Sequence, residues 1–226
     1  CSTEVNMIKV IEKPLEQIVD AVDGYDRVLV LGCGGCASVC LGGGQREVDH
    51  LCLDLEMVFK DNPRKRFVRG YTIERQCNMS YIDELVSIID DFDAVLSMAC
   101  GAGAQYVAEA YPHIPVFPAV NTAAIGIDRD IGVYEERCRA CGECVVGFTG
   151  GVCPVTRCAK GLFNGPCGGT NNGMCEIDDS IPCAWMDIFH RLKGQDRLDD
   201  IMKVRPPMEW QNQTQRTVIQ KRYYRG

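Results

Sequence analysis

Fifteen cysteines in 226 residues are the chemistry this chain offers. They run in tight groups: Cys33-Gly-Gly-Cys36-Ala-Ser-Val-Cys40, then Cys138-Arg-Ala-Cys141-Gly-Glu-Cys144, then Cys153-Pro154, Cys158, Cys167, Cys175 and Cys183. Cys52, Cys77 and Cys100 stand alone between the first two groups. Thiolates two or three residues apart can point into one pocket where the backbone turns sharply, and Gly32, Gly34 and Gly35 allow that turn. A disulfide framework fits poorly, because the count is odd and the stretch Cys1 to Pro14 has no apolar signal-peptide core. The lack of a targeting segment points to the cytoplasm, where reduced thiols in such groups are usually metal ligands.

The first group plus one distant cysteine is a common way of holding [4Fe-4S]. The distant ligand is Cys77 or Cys100, and the sequence does not separate them. The same loop also matches the dinucleotide fingerprint G-x-G-x-x-A, from Gly32 to Ala37. Against nucleotide binding, the fingerprint expects an acidic residue about 20 positions on at the end of the second strand, whereas the second strand here ends much later, near Glu74. Three cysteines would also crowd a pyrophosphate. The cofactor role expected of Gly32, Gly34 and Gly35 is to let backbone amides approach cluster sulfurs, as does the Gly-rich stretch 165–169.

The second group matches the bacterial ferredoxin run C-x2-C-x2-C, with the fourth cysteine displaced to Cys153-Pro154. Eight cysteines between 138 and 183 make two four-thiolate sites. Two [4Fe-4S] clusters, or one cluster and one four-cysteine zinc site, both fit. The expected total is two or three metal sites, mainly [4Fe-4S]. Cys1 is read as unliganded, Cys52 as a small buried hydrophobe, and Cys183 as either ligand or core. His50, His113 and His190 lie outside the cysteine groups, Glu135, Glu136, Asp178 and Asp179 read as solvated charges, and Met57 and Met98 read as core. There is no G-x-S-x-G, Walker A or H-E-x-x-H motif to support a hydrolase or kinase.

The 24 basic and 31 acidic residues give a formal charge of −7, which argues against nucleic acid as a partner. No apolar run approaches the ~20 residues of a membrane span.

The elements that must position these thiols follow from periodicity. Helices are expected at 13–22, 45–60 (Val48, Leu51, Leu55, Val58), 80–89 with Ser80 as N-cap, and 102–110. Strands are expected at 27–31, 67–73 after the Asn62-Pro63 breaker, 94–98 and 116–120. The alternation predicts an α/β fold with a Rossmann-like parallel sheet over 1–132. Cys33, Cys77, Cys100 and Asn121 then fall just after strands, on the ligand-binding edge of such a sheet. A Cys-rich, ferredoxin-like metal-binding segment covers 133–183, too poor in apolar periodicity to fold without staples. C-terminal helices (184–192 and 198–204) and a basic tail (Arg216, Lys221, Arg222 and Arg225 beside Tyr223 and Tyr224) make up 184–226, a partner-docking extension.

Several segments carry a resemblance. VLVLGCGGCASVCLGGG, the ERQC at 74–77, LSMACGAG at 96–103, EERCRACGECVVGFTGGVCPVTRCAKGLFNGPCGGTNNGMCEI and the CAW at 183–185 resemble the methylenetetrahydrofolate reductase C-terminal-domain family. The resemblance covers roughly residues 8–210. It implies a non-catalytic iron–sulfur subunit of an oxidoreductase in the Wood–Ljungdahl methyl branch, with zinc as an alternative metal. The implied partners are a flavoprotein methylenetetrahydrofolate reductase subunit (MetF), which carries the flavin and the folate site on a TIM barrel, and an electron-donor subunit or ferredoxin. The alternative implied role is a zinc-dominated docking subunit linking MetF to a donor complex.

Overall fold

The computed structural model describes residues 7–60 and 63–223. Cys1, Asn62 of the breaker, and Tyr224 and Arg225 of the basic tail lie outside the described residues. The chain divides into two compact units, one up to Glu135 and one from Glu136.

The first unit opens with β1 (Ile8–Glu12) and α1 (Leu15–Ala21). It continues through β2 (Arg27–Cys33), the short α2 (Cys36–Val39), α3 (Gln45–Phe59), β3 (Phe67–Ile73) and the short α4 (Met79–Ile82). Then come β4 (Ala94–Ser97), α5 (Gly101–Ala110), β5 (Val116–Pro118), β6 (Val120–Asp130) and β7 (Val133–Cys138), along which the chain passes into the second unit. Strands β2 to β5 form a parallel sheet in the order β3-β2-β4-β5. Its central strands are apolar throughout because both faces are covered: Val28, Leu29, Val30 and Leu31 are all fully buried. One face packs against α3 through Val48, Leu51 and Leu55. The other packs against Ile82, Leu85, Ile89 and Val107.

This unit departs from the sequence expectation in four places. A second, antiparallel sheet, β1-β6-β7, was not foreseen, and Asn121 lies inside it, paired with Ile11. Lys9 of β1 is buried there, ion-paired with Asp128 and set over the Tyr134 ring. The helix expected at 80–89 is a single turn, α4, followed by 3-10 turns at Asp83–Ser87 and Ile89–Asp91. Its N-cap is Asn78, whose side chain accepts the Ser80 N–H at 3.0 Å, because an amide oxygen two residues back reaches that orphan donor. On α3 the buried stripe runs 48, 51, 55, 59, so Phe59 replaces Val58. Met57 is a correction: it is 66% exposed, on the helix face turned away from the sheet.

The second unit contains α6 (Pro154–Arg157), the ribbon β8 (Met174–Cys175) with β9 (Asp178–Pro182), and α7 (Ala184–Gly194). The expected last helix is a 3-10 segment, Leu198–Met202. Two small apolar clusters hold the unit. One gathers Val152, Trp185, Ile188 and Leu192, with Cys158 and Cys183 against it. The other gathers Val145, Val155 and Met208, with Cys141, Cys153 and Trp210 against it. The cysteines of this unit are therefore part of what little core it has. Among the described residues no helix is long and apolar enough to cross a membrane.

Candidate metal centres

In the first unit the parallel order places the first strand of the sheet, β2, between β3 and β4. The chain therefore leaves β2 and β4 toward opposite sides. Their carboxyl ends border the crevice where open α/β sheets bind ligands. The β2 end carries Cys33 and Cys36, the β4 end leads to Cys100, and the β3 end to Cys77.

These four thiols are close enough to act on one another. Burial pushes the Cys33 thiol up, N–H groups of Gln76 and Gly35 pull it back, and Cys77 and Cys100 push it up again. Burial likewise raises Cys77, followed by repulsion from Cys100 and Cys36, with Arg75 opposing. Charge–charge reach is wider than a coordination sphere. Among the described residues no three His, Cys, Asp or Glu side chains are gathered closely enough to hold a metal ion. The donor set nonetheless suits one: four soft thiolates that repel when bare, two of them against the first residues of helices. Cys100 is the N-cap of α5, and Cys36 opens α2.

Cys40 lies elsewhere. It is 4% exposed, and its Sγ accepts the Val10 N–H of β1 at 3.3 Å. Burial raises its thiol, while Val10 N–H and Lys9 lower it. Cys36 is the one cysteine among the main influences on it, and it raises the thiol. The structure thus puts Cys33, Cys36 and both distant cysteines at one edge of the sheet, wider apart than a coordination sphere, and holds Cys40 against β1.

The loop glycines serve packing as much as the site. A Cβ on Gly32 would lie 2.3 Å from Thr72 Oγ1 and 2.7 Å from Val48 Cγ2, so Gly32 lets β3 and α3 close over β2. Gly43 approaches still closer: its Cβ would stand 1.8 Å from the Met98 carbonyl oxygen. The Gly43 carbonyl in turn accepts the Cys33 N–H at 2.8 Å, which folds the loop back on the strand end. Gly34 donates to Ile73 O at 2.9 Å, and Gly35 reaches the Cys33 sulfur.

Pattern reading missed Gln76 and Ser97. Gln76 is fully buried at the β3 end, and its Nε2 donates to Leu31 O at 2.7 Å and Gly32 O at 3.1 Å. Its Oε1 accepts from Ser97 Oγ at 2.7 Å. A single glutamine before a cysteine carries no periodic signal, so its burial emerges only in three dimensions.

In the second unit, Cys158, Cys167, Cys175 and Cys183 all line one cavity of about 190 Å³. That is room for about six waters at ~30 Å³ each. Lys160, ion-paired with Glu176, also lines the cavity. The Cys167 thiol is held below the usual range, first by the Gly169 N–H and then by Lys160. Cys141 and Cys153 sit against the same apolar cluster. Cys138 Sγ accepts the Ala140 N–H at 3.3 Å, and Cys144 lies beside Val145 and Phe163 in a separate shallow pocket. The eight cysteines thus sort by position into a cavity set and a ferredoxin-run set.

The remaining candidates are placed as follows. Cys52 is half-buried against the core, and its thiol is raised by burial to about 11. His113 pairs with Asp90 at 2.9 Å, away from the cysteines. His50 and His190 are exposed, Met98 is fully buried, and Asp178 closes a turn by accepting from the Ser180 N–H and hydroxyl.

No curated protein and no solved structure matches the chain. Residues 117–211, a little under half of the chain and the part that holds the ferredoxin-like run, match the family described as methylene-tetrahydrofolate reductase C terminal.

Proposed function

We propose that this chain is an iron–sulfur electron-transfer subunit serving a flavin-containing methylenetetrahydrofolate reductase subunit (MetF), as a MetV-type small subunit of the Wood–Ljungdahl methyl branch. The observation that carries the reading is that the sheet topology brings Cys33, Cys36, Cys77 and Cys100, from three separate loops, to its carboxyl edge at the switch point, within charge–charge reach of one another. The cavity lined by four further cysteines supports it, as does the family match over 117–211. Among the described residues neither unit has the eight βα repeats of a TIM barrel, and in this reading folate and flavin belong to the partner.

A [4Fe-4S] cluster, when bound, supplies one-electron redox chemistry at a potential set by burial and hydrogen bonds to sulfur. The chain's own residues provide that setting. Gly169 donates its N–H to Cys167 and Ala140 to Cys138, and the N–H groups of Gln76 and Gly35 lower the Cys33 thiol. Each such bond stabilises the more negative, reduced state and so raises the potential. The half-buried first-unit site, with Cys77 at its exposed edge, gives a partner a point of approach.

The test is iron, sulfide and zinc analysis of the anaerobically purified complex, with a redox titration. Iron and sulfide in equal amounts with reducible signals support the relay. Zinc alone, with no reducible signal, makes the chain a docking module instead.

A further inference from the structure

We propose that Gln76 is a positioning residue for the first-unit metal site, tying together the three loops that bear its cysteines. This deepens the reading above and rests on it. The three loops leave three different strands, and a four-thiolate site tolerates little relative movement between them. Something must set their spacing other than the metal, and Gln76 touches all of them.

Its side chain has no exposed surface and three hydrogen bonds, which use both Nε2 protons and one acceptor site of Oε1. Two carbonyls of β2, Leu31 and Gly32, can only accept, so they must face the amide nitrogen. The oxygen is therefore left for the Ser97 hydroxyl of β4. Ser97 Oγ then accepts the Ala99 N–H at 3.3 Å, on the segment that leads to Cys100. The backbone N–H of Gln76 points to the Cys33 sulfur, and the next residue is Cys77. Helix α5 closes on the same residue: a Cβ on Gly103 would lie 2.9 Å from the Gln76 Cβ. One amide thus links the β2 end (Cys33, Cys36), the β3 end (Cys77) and the β4 end (Cys100). No apolar side chain of that size could do this, because the β2 carbonyls and the Ser97 hydroxyl need opposite hydrogen-bond polarity.

The experiment uses the full chain, reconstituted anaerobically with iron and sulfide. Cys77→Ala and Cys100→Ala first identify the iron, the electron paramagnetic resonance signal and the midpoint potential of this site. Gln76→Leu is then expected to lose most of the about four iron atoms such a site holds, and the second-unit signals are expected to persist. Ser97→Ala removes only the β4 side of the tie. It is expected to keep its fold and thermal transition but to shift the line shape and potential of the first-unit signal. Circular dichroism reports whether Gln76→Leu folds; if it does not, Ser97→Ala decides. Should the two cysteine variants retain all iron, the metal-site reading itself fails. Should they lose it while Gln76→Leu and Ser97→Ala keep iron, line shape and potential unchanged, the positioning role is overturned.

Discussion

Cys40 and Cys77 should separate stability from metal binding in opposite senses. Cys40 is 4% exposed, and its sulfur is the acceptor for the Val10 N–H. Replacing it with alanine strands a buried donor, worth about 1–3 kcal/mol, and opens a small void. For a unit of this size that lowers the thermal midpoint of the metal-free protein by about 3–10 °C. Cys40→Ser restores an acceptor oxygen and should recover part of the loss. Iron bound at the first-unit site should be unchanged in both. Cys77 is exposed on a loop, so Cys77→Ala should change the metal-free protein by no more than about 0.5 kcal/mol and yet abolish that site's iron. The assay is anaerobic calorimetry on metal-free samples, with iron and sulfide counted after reconstitution. Metal-free protein is essential, because a bound metal adds its own stabilisation to any folded state that holds it. Loss of iron in Cys40→Ala, with retention in Cys77→Ala, would refute the assignment. It would restore the single-loop set Cys33, Cys36 and Cys40.

Other outcomes follow from the same geometry. Gly43→Ala puts a methyl 1.8 Å from the Met98 carbonyl oxygen, so the loop or the β4 exit must move. The expected cost is about 1–3 kcal/mol or more, together with reduced iron in the first unit, read by thermal unfolding and iron analysis. In metal-free protein Cys167, exposed and with its thiol lowered by the Gly169 N–H, holds more thiolate at a given pH than Cys33, which burial raises. Iodoacetamide near pH 8 should therefore label Cys167 well before Cys33, and metal loading should suppress Cys167 labelling; peptide mass spectrometry checks both. Truncating the basic tail after Gln213 should weaken assembly with the flavoprotein and leave iron intact, measured by pull-down of purified partners. A cut before Gln211 is a different perturbation, because Asn212 donates to the Arg139 carbonyl beside Cys138 at 2.9 Å and the ferredoxin-like run would lose that tie.

Much of the scaffold was legible because burial on both faces writes itself as uninterrupted apolar runs. RVLVL and AVLS are β2 and β4, and the stripe Val48, Leu51, Leu55 is the buried face of α3. The antiparallel sheet was not legible. β6 is mostly exposed, with only Val120 buried, so it has no clean alternation to read. Met57 misled for the opposite reason: it sits in an apolar run yet lies off the buried stripe by helical phase.

For the site, the sequence by itself determined the chemistry: thiolates in tight groups of metal-ligand spacing, glycines that let the chain turn, and strand ends that lead into cysteine-bearing loops. Spacing is a local quantity, and these are local facts. Which thiols meet is not local. It depends on strand order, because β3 and β4 flank β2 and bring Cys77 and Cys100 to the same edge as Cys33 and Cys36. It depends equally on β1, whose Val10 N–H takes up Cys40. Gln76 belongs to the same class, since its three hydrogen bonds reach residues 21 to 45 positions away. Only the tertiary structure could decide these, because hydrogen-bond partners and charge neighbours at such separations are set by how the sheet is wound.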